Sequence, residues 1–91
     1  MYSVSTFIEL RAAPNNKKLN RNKSYYFEFY IPRGFEVVMK VGSEGDRINF
    51  EKERGKFSLN YTPTELGELI IIVRHENSPA TFEYLLRYDV Y

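Results

Sequence analysis

Few side chains in this sequence are of types that do chemistry, and their surroundings decide what they can do. The single histidine, His75, closes the stretch "ELIIIVRH" and precedes "ENSP". A general base needs a partner that sets its tautomer and a pocket for substrate. Nothing beside His75 marks either, so it reads as a solvated turn residue. Glu44, Asp46, Glu51 and Glu53 form an acidic cluster of the sort that binds calcium or supplies a carboxylate pair for acid–base work. The spacing is not that of a calcium loop, and Arg47, Lys52 and Arg54 are interleaved. Screened surface charge is the better account. Gly42 and Gly45 suit a hairpin rather than a phosphate-cradling loop. There is no cysteine, which removes disulfides, thiolate metal sites and a thiol nucleophile. The expectation is therefore no catalytic residue, no cofactor, no metal site and no enzyme.

Binding chemistry has more to work with. Lys17, Lys18, Arg21 and Lys23 precede Tyr25 and Tyr26, and basic residues interleaved with aromatics are what single-strand nucleic-acid binders use. Thirteen basic residues stand against twelve acidic ones, a formal +1. Non-specific affinity grows with the number of phosphates neutralised, so no nucleic-acid partner is expected. In "SYYFEFYI" (24–31), Tyr25, Phe27, Phe29 and Ile31 share one face and Tyr26, Glu28 and Tyr30 the other. The first set reads as core. Tyr26 and Tyr30, with Tyr91 at the end of the sequence, are the candidates for a ligand or partner surface, because a tyrosine ring offers an apolar body and a polar tip. Two N-x-S/T triplets occur, at Asn22 and Asn60, about as many as chance supplies, and they matter only on a glycosylating route.

The elements that must hold these residues are strands. Period-two alternation runs through nearly the whole sequence. Phe35, Val37, Met39 and Val41 align, then Ile48 with Phe50, then Phe57, Leu59 and Tyr61. In the last segment Phe82, Tyr84, Leu86, Tyr88 and Val90 alternate against Glu83, Leu85, Arg87 and Asp89. "ELIIIVRH" is apolar on both faces for most of its length, as in a central strand covered on each side. "PRG" (32–34), "GSEGD" (42–46), "ERG" (53–55) and "HENSPA" (75–80) read as turns or loops, and "TPTELG" (62–67) as a crossing between two sheets. The polar stretch 12–23 is irregular, with Leu19 placed to pin it to the core. With "STFIEL" near the start, seven strands result, and no helix is expected. The composition is that of a globular protein, 43% hydrophobic and 27% charged. Ninety-one residues fit a single domain, 1–91. An all-β, antiparallel immunoglobulin-like sandwich is the natural reading, with an OB-like or SH3-like barrel as the rival. "MYSVSTFIELRAAP" has no signal-peptide character. The longest apolar run, "LIIIV" (69–73), is too short to span a bilayer, so no membrane insertion is expected.

Taken in order, "LNRNKSYYFEFYIPRGFEVVMKVG", "GKFSLNYTP", "GELIIIVR" and "FEYLLRYDVY" resemble the immunoglobulin-like β-sandwich domain that follows transglutaminase-like (kyphoscoliosis peptidase-type) domains in bacterial proteins. The resemblance runs from about Leu19 to Tyr91. It implies a non-catalytic accessory role beside a transglutaminase-like or peptidase module, outside the cytoplasm or at the cell envelope. The Cys, His and Asp of that enzyme module have no counterparts here. The leading expectation is thus an interaction module whose partner is a protein domain or neighbouring module, with self-association through strand edges as a further route. A carbohydrate- or other ligand-binding module using Tyr26, Tyr30 and Tyr91 is the second. A small free-standing protein that inhibits a partner by contact is the third.

Overall fold

The computed structural model describes residues 8–42 and 46–91, with 78–81 as backbone only. Nine strands form among these residues: β1 (Glu9–Ala12), β2 (Lys18–Leu19), β3 (Tyr25–Tyr30), β4 (Phe35–Val41), β5 (Asp46–Asn49), β6 (Glu51–Glu53), β7 (Lys56–Tyr61), β8 (Gly67–His75) and β9 (Ser78–Val90). They make a four-stranded sheet, β1-β3-β7-β6, and a five-stranded sheet, β2-β9-β8-β4-β5. Every pairing is antiparallel except β2 with β9. No helix occurs among the described residues. The all-β expectation holds, and the strands expected at 5–10 and at "INF" move. The first begins at Glu9, residues 5–7 lying outside the described segments, and the second becomes β5 and β6 on either side of Phe50. Strand β2 is the other addition, too short to leave a periodic trace.

The chain crosses between the sheets at defined points. After β1, the segment Ala13–Lys17 carries the chain over to β2 in the other sheet. Pro14 has no N–H to give a ladder, and its carbonyl accepts a hydrogen bond from the Tyr88 hydroxyl at 2.8 Å. Pro32–Gly34 crosses from β3 to β4, with Gly34 at φ 87°. Residues 62–66 cross from β7 to β8, as their composition suggested. The β6–β7 hairpin closes on Arg54 and Gly55 at φ 51° and 83°, the double left-handed conformation that matches strand twist in two-residue loops.

The inner faces share one core. Phe27, Phe29 and Phe57 from the smaller sheet meet Val37, Met39, Leu69, Ile71, Val73 and Leu86 from the larger. Phe27 meets Tyr88 edge-on at 5.9 Å, and Phe29 meets Phe50 likewise. Burying each phenylalanine contributes about 1.5–3 kcal/mol. Leu19 is 1% exposed and belongs to this cluster, so it does pin the polar segment. Lys52 reaches Glu76 at 3.4 Å, linking the smaller sheet's edge to the β8–β9 turn.

In β9 the strict alternation fails. Ile71 pairs with Leu86 but Ile72 pairs with Tyr84, leaving Leu85 as an extra residue in a β-bulge. A bulge reverses the faces on its two sides. Leu86, Tyr88 and Val90 point inward as expected, and Leu85 joins them, all four buried. Phe82 and Tyr84, expected in the core, instead face outward at 40% and 44% exposure.

Candidate functional site

The outer face of the five-stranded sheet can be built from its cross-strand pairs. One row reads Asn49, Val38, Ile72, Tyr84; the next reads Glu36, Arg74, Phe82; the row on the other side reads Arg47, Lys40, Ile70, Arg87. Tyr91 stands beyond, at 50% exposure, with Lys18 Nζ over its ring at 5.5 Å. The Phe82 and Tyr84 rings meet edge to face at 5.4 Å. Lys40 Nζ lies 5.3 Å from the Phe82 ring centroid. To reach it, the Lys40 stem passes over the Val38–Ile72 row, and methylenes of this kind cover apolar surface well. Both residues are only 1% exposed although they lie outside the central core. The result is a raft of two aliphatics capped by two aromatics and a lysine. Glu36 pairs with Arg74 and Glu68 with Arg87 at its margins.

Phe82 and Tyr84 escape sequence reasoning because alternation was carried through the bulge. The adjacent Leu85-Leu86 doublet in an otherwise alternating strand was the available signal. Two neighbouring inward residues are what a bulge requires.

The outer face of the four-stranded sheet is different. Tyr26 and Tyr30 do face outward there, at 42% and 39% exposure. The Tyr26 hydroxyl donates to Glu28, which raises its pKa first of all through that hydrogen bond. The Arg11 guanidinium lies over the Tyr30 ring at 5.1 Å and pairs with Glu9 and Glu28. Tyr91 follows β9 of the other sheet, and Lys18, over its ring, also lines a cleft with Tyr26.

The other chemistry-bearing residues are dispersed. His75 meets the Phe35 ring edge to face at 4.9 Å, and its Nδ1 accepts from the Asn77 N–H at 3.3 Å. The acidic cluster is divided: Asp46 lies on β5 in one sheet, Glu51 and Glu53 on β6 in the other, and Glu44 lies outside the described residues. Among the described residues no group of three His, Asp or Glu side chains is placed to hold a metal. No helix among them is long and apolar enough to cross a membrane. Of the basic cluster, Lys18 and Lys23 come together with Tyr25 and Tyr26 along an open cleft of about 490 Å³, which Asn15, Asn16 and Asn20 also line. Lys17 lines a second cleft of about 270 Å³ with Leu86, Arg87 and Tyr88, and Arg21 donates its backbone N–H to the Tyr91 carbonyl at 2.9 Å. Of the two glycosylation-type triplets, Ser24 and Thr62 are hydrogen-bonded to each other at 2.6 Å.

No known protein family, curated protein or solved structure matches the chain.

Proposed function

We propose that this chain is an immunoglobulin-like β-sandwich acting as a non-catalytic interaction module, with the outer face of its five-stranded sheet as the binding surface. The strand order supports the fold reading. β1-β3-β7-β6 against β9-β8-β4 follows the order of the two sheets of constant-type immunoglobulin domains, with β2 and β5 added at the margins of the second. An accessory place beside a transglutaminase-like or peptidase module is proposed on the sequence resemblance.

One observation carries the binding face. The bulge at Leu85 turns Phe82 and Tyr84 out of the core onto a face where they cap Val38 and Ile72 with about 40% of their own surface still open. That remaining exposure leaves a large area of both rings in water. Desolvating them against a protein contributes substantially, since buried aromatics are the usual anchors of interfaces. The test is capture from source-cell extract by the immobilised chain. We expect a retained protein that is lost with Phe82→Ser/Tyr84→Ser and kept with Tyr26→Ser/Tyr30→Ser. The opposite pattern would move the binding face to the smaller sheet.

A second reading has its own observation. The larger cleft combines Tyr25 and Tyr26 with three asparagines and two lysines, a mixture of flat apolar and hydrogen-bonding groups that suits a sugar. Titration with a panel of glycans checks it: binding weakened by Asn16→Ala and Tyr26→Ala supports a carbohydrate site, and no binding across the panel rejects it.

A further inference from the structure

The two outer faces carry opposite charge. On the four-stranded sheet, Glu9, Glu28, Glu51 and Glu53 outnumber Arg11 and Lys56. Arg11 is shared by two carboxylates, Glu9 and Glu28, and Lys56 stands directly beside Glu53, so one surplus negative charge lies at the Glu9–Glu28 pair and the other at Glu51 of β6. On the five-stranded sheet the arginines Arg74 and Arg87 are offset by Glu36 and Glu68. Asp89 stands directly beside Lys18, so the surplus falls on Lys40 of β4 and Arg47 of β5. Only Phe50 separates β5 from β6, which places Arg47 and Glu51 along the same flank of the molecule, while the Lys40 ammonium is carried across the sheet to the Phe82 ring of β9. A second copy shifted along the sheet normal therefore sets Glu51 opposite Arg47 and brings the Glu9–Glu28 side of the acidic face toward the Lys40 ammonium. The same shift brings Tyr26 and Tyr30 toward the aromatic raft. With principal extents of 34 × 25 × 23 Å, each broad face covers roughly 800 Å², the scale of one partner's share in a standard interface.

We propose that the chain binds a second copy of itself head to tail, the acidic tyrosine face of one copy on the basic aromatic face of the next. This rests on the reading of the five-stranded face as a binding surface. The contact is heterologous, so it does not close at two and further copies add as concentration rises. Charge complementarity contributes to it, so it weakens with salt. Strand addition is disfavoured by the edges themselves: β2 has two residues, β1 reads Glu-Leu-Arg-Ala with a register shift, β6 reads Glu-Lys-Glu and β5 begins Asp-Arg, and short, charged or irregular edges resist pairing.

Sedimentation velocity of the full chain, from micromolar to millimolar at low and high salt, tests it. The expected result is a weight-average mass that rises about two-fold or more at low salt and falls back toward the monomer at high salt. Lys40→Glu/Arg47→Glu and Glu51→Lys/Glu53→Lys should each remain monomeric alone. Their mixture should associate, because the intact basic face of one meets the intact acidic face of the other, and this rescue also shows that both variants fold. A monomer under all conditions overturns the proposal, as does a dimer indifferent to both pairs of changes, which would indicate edge pairing. If the wild type is monomeric yet capture from extract still depends on Phe82 and Tyr84, self-association fails and the binding face stands. If capture ignores Phe82 and Tyr84, the binding face itself fails.

Discussion

Tyr88 shows how one residue joins core, loop and solvent conditions. Its ring packs on Phe27 while its hydroxyl donates to the Pro14 carbonyl, tying the β1–β2 crossing to β9. Burial holds the hydroxyl's pKa up at about 12, from an ordinary 10.0. Between those values the unfolded chain ionises this tyrosine and the folded one does not. The folded state then holds more protons, so its stability falls as pH rises. Tyr88's contribution is thus fully present below pH 10 and is lost progressively toward pH 12. We expect Tyr88→Phe to lower stability at neutral pH by about 1 kcal/mol, the value of the lost hydrogen bond. It should also flatten the decline above pH 10. Thermal melts of both proteins between neutral pH and pH 12 check this; parallel declines would show that Tyr88 ionises as freely folded as unfolded.

Among the elements, β9 is the one whose irregularity has consequences. Its bulge lets a single strand supply core leucines and surface aromatics from adjacent positions. Leu85 is fully buried, so Leu85→Ala should cost about 2–5 kcal/mol. Tyr84→Ser, one residue away, outside the core cluster and 44% exposed, should cost less than Leu85→Ala. Under strict alternation the order would be reversed, with Tyr84 as the core residue. Chemical denaturation of the two variants therefore measures which face each residue occupies. The hairpin at Arg54–Gly55 was legible beforehand from "ERG", since a glycine after a polar residue marks such a turn. The bulge needed the Leu85-Leu86 doublet to be weighed against an alternation that otherwise runs the length of the strand.

At the scale of the molecule, both sheets contribute to one core, and neither inner face has another apolar surface to cover it. Unfolding should therefore be cooperative, the expected behaviour of a small single-core unit. Far-UV circular dichroism and tyrosine fluorescence should give coincident transitions in urea; separate midpoints would show that one sheet persists without the other. Charge is likewise distributed at this scale. A near-neutral total conceals an acidic outer face and a basic one.

The all-β architecture, the core set of Phe27, Phe29, Val37 and Met39, and the anchoring by Leu19 follow from the sequence by itself. Alternation and turn residues are local, and a buried face in a strand must be apolar at every second position. What only the tertiary structure decided is long-range pairing. Strands β5 and β6 fall in different sheets and split the acidic cluster between them. Tyr26 and Tyr30 stand on β3 of one sheet, and Tyr91 follows β9 of the other. The register of β9 against β8 is set by partners, and it carries Phe82 and Tyr84 to the surface. Periodicity gives each residue a side relative to its neighbours in the strand, but only the pairing partners determine which side is the inside, and whether an extra residue reverses it midway.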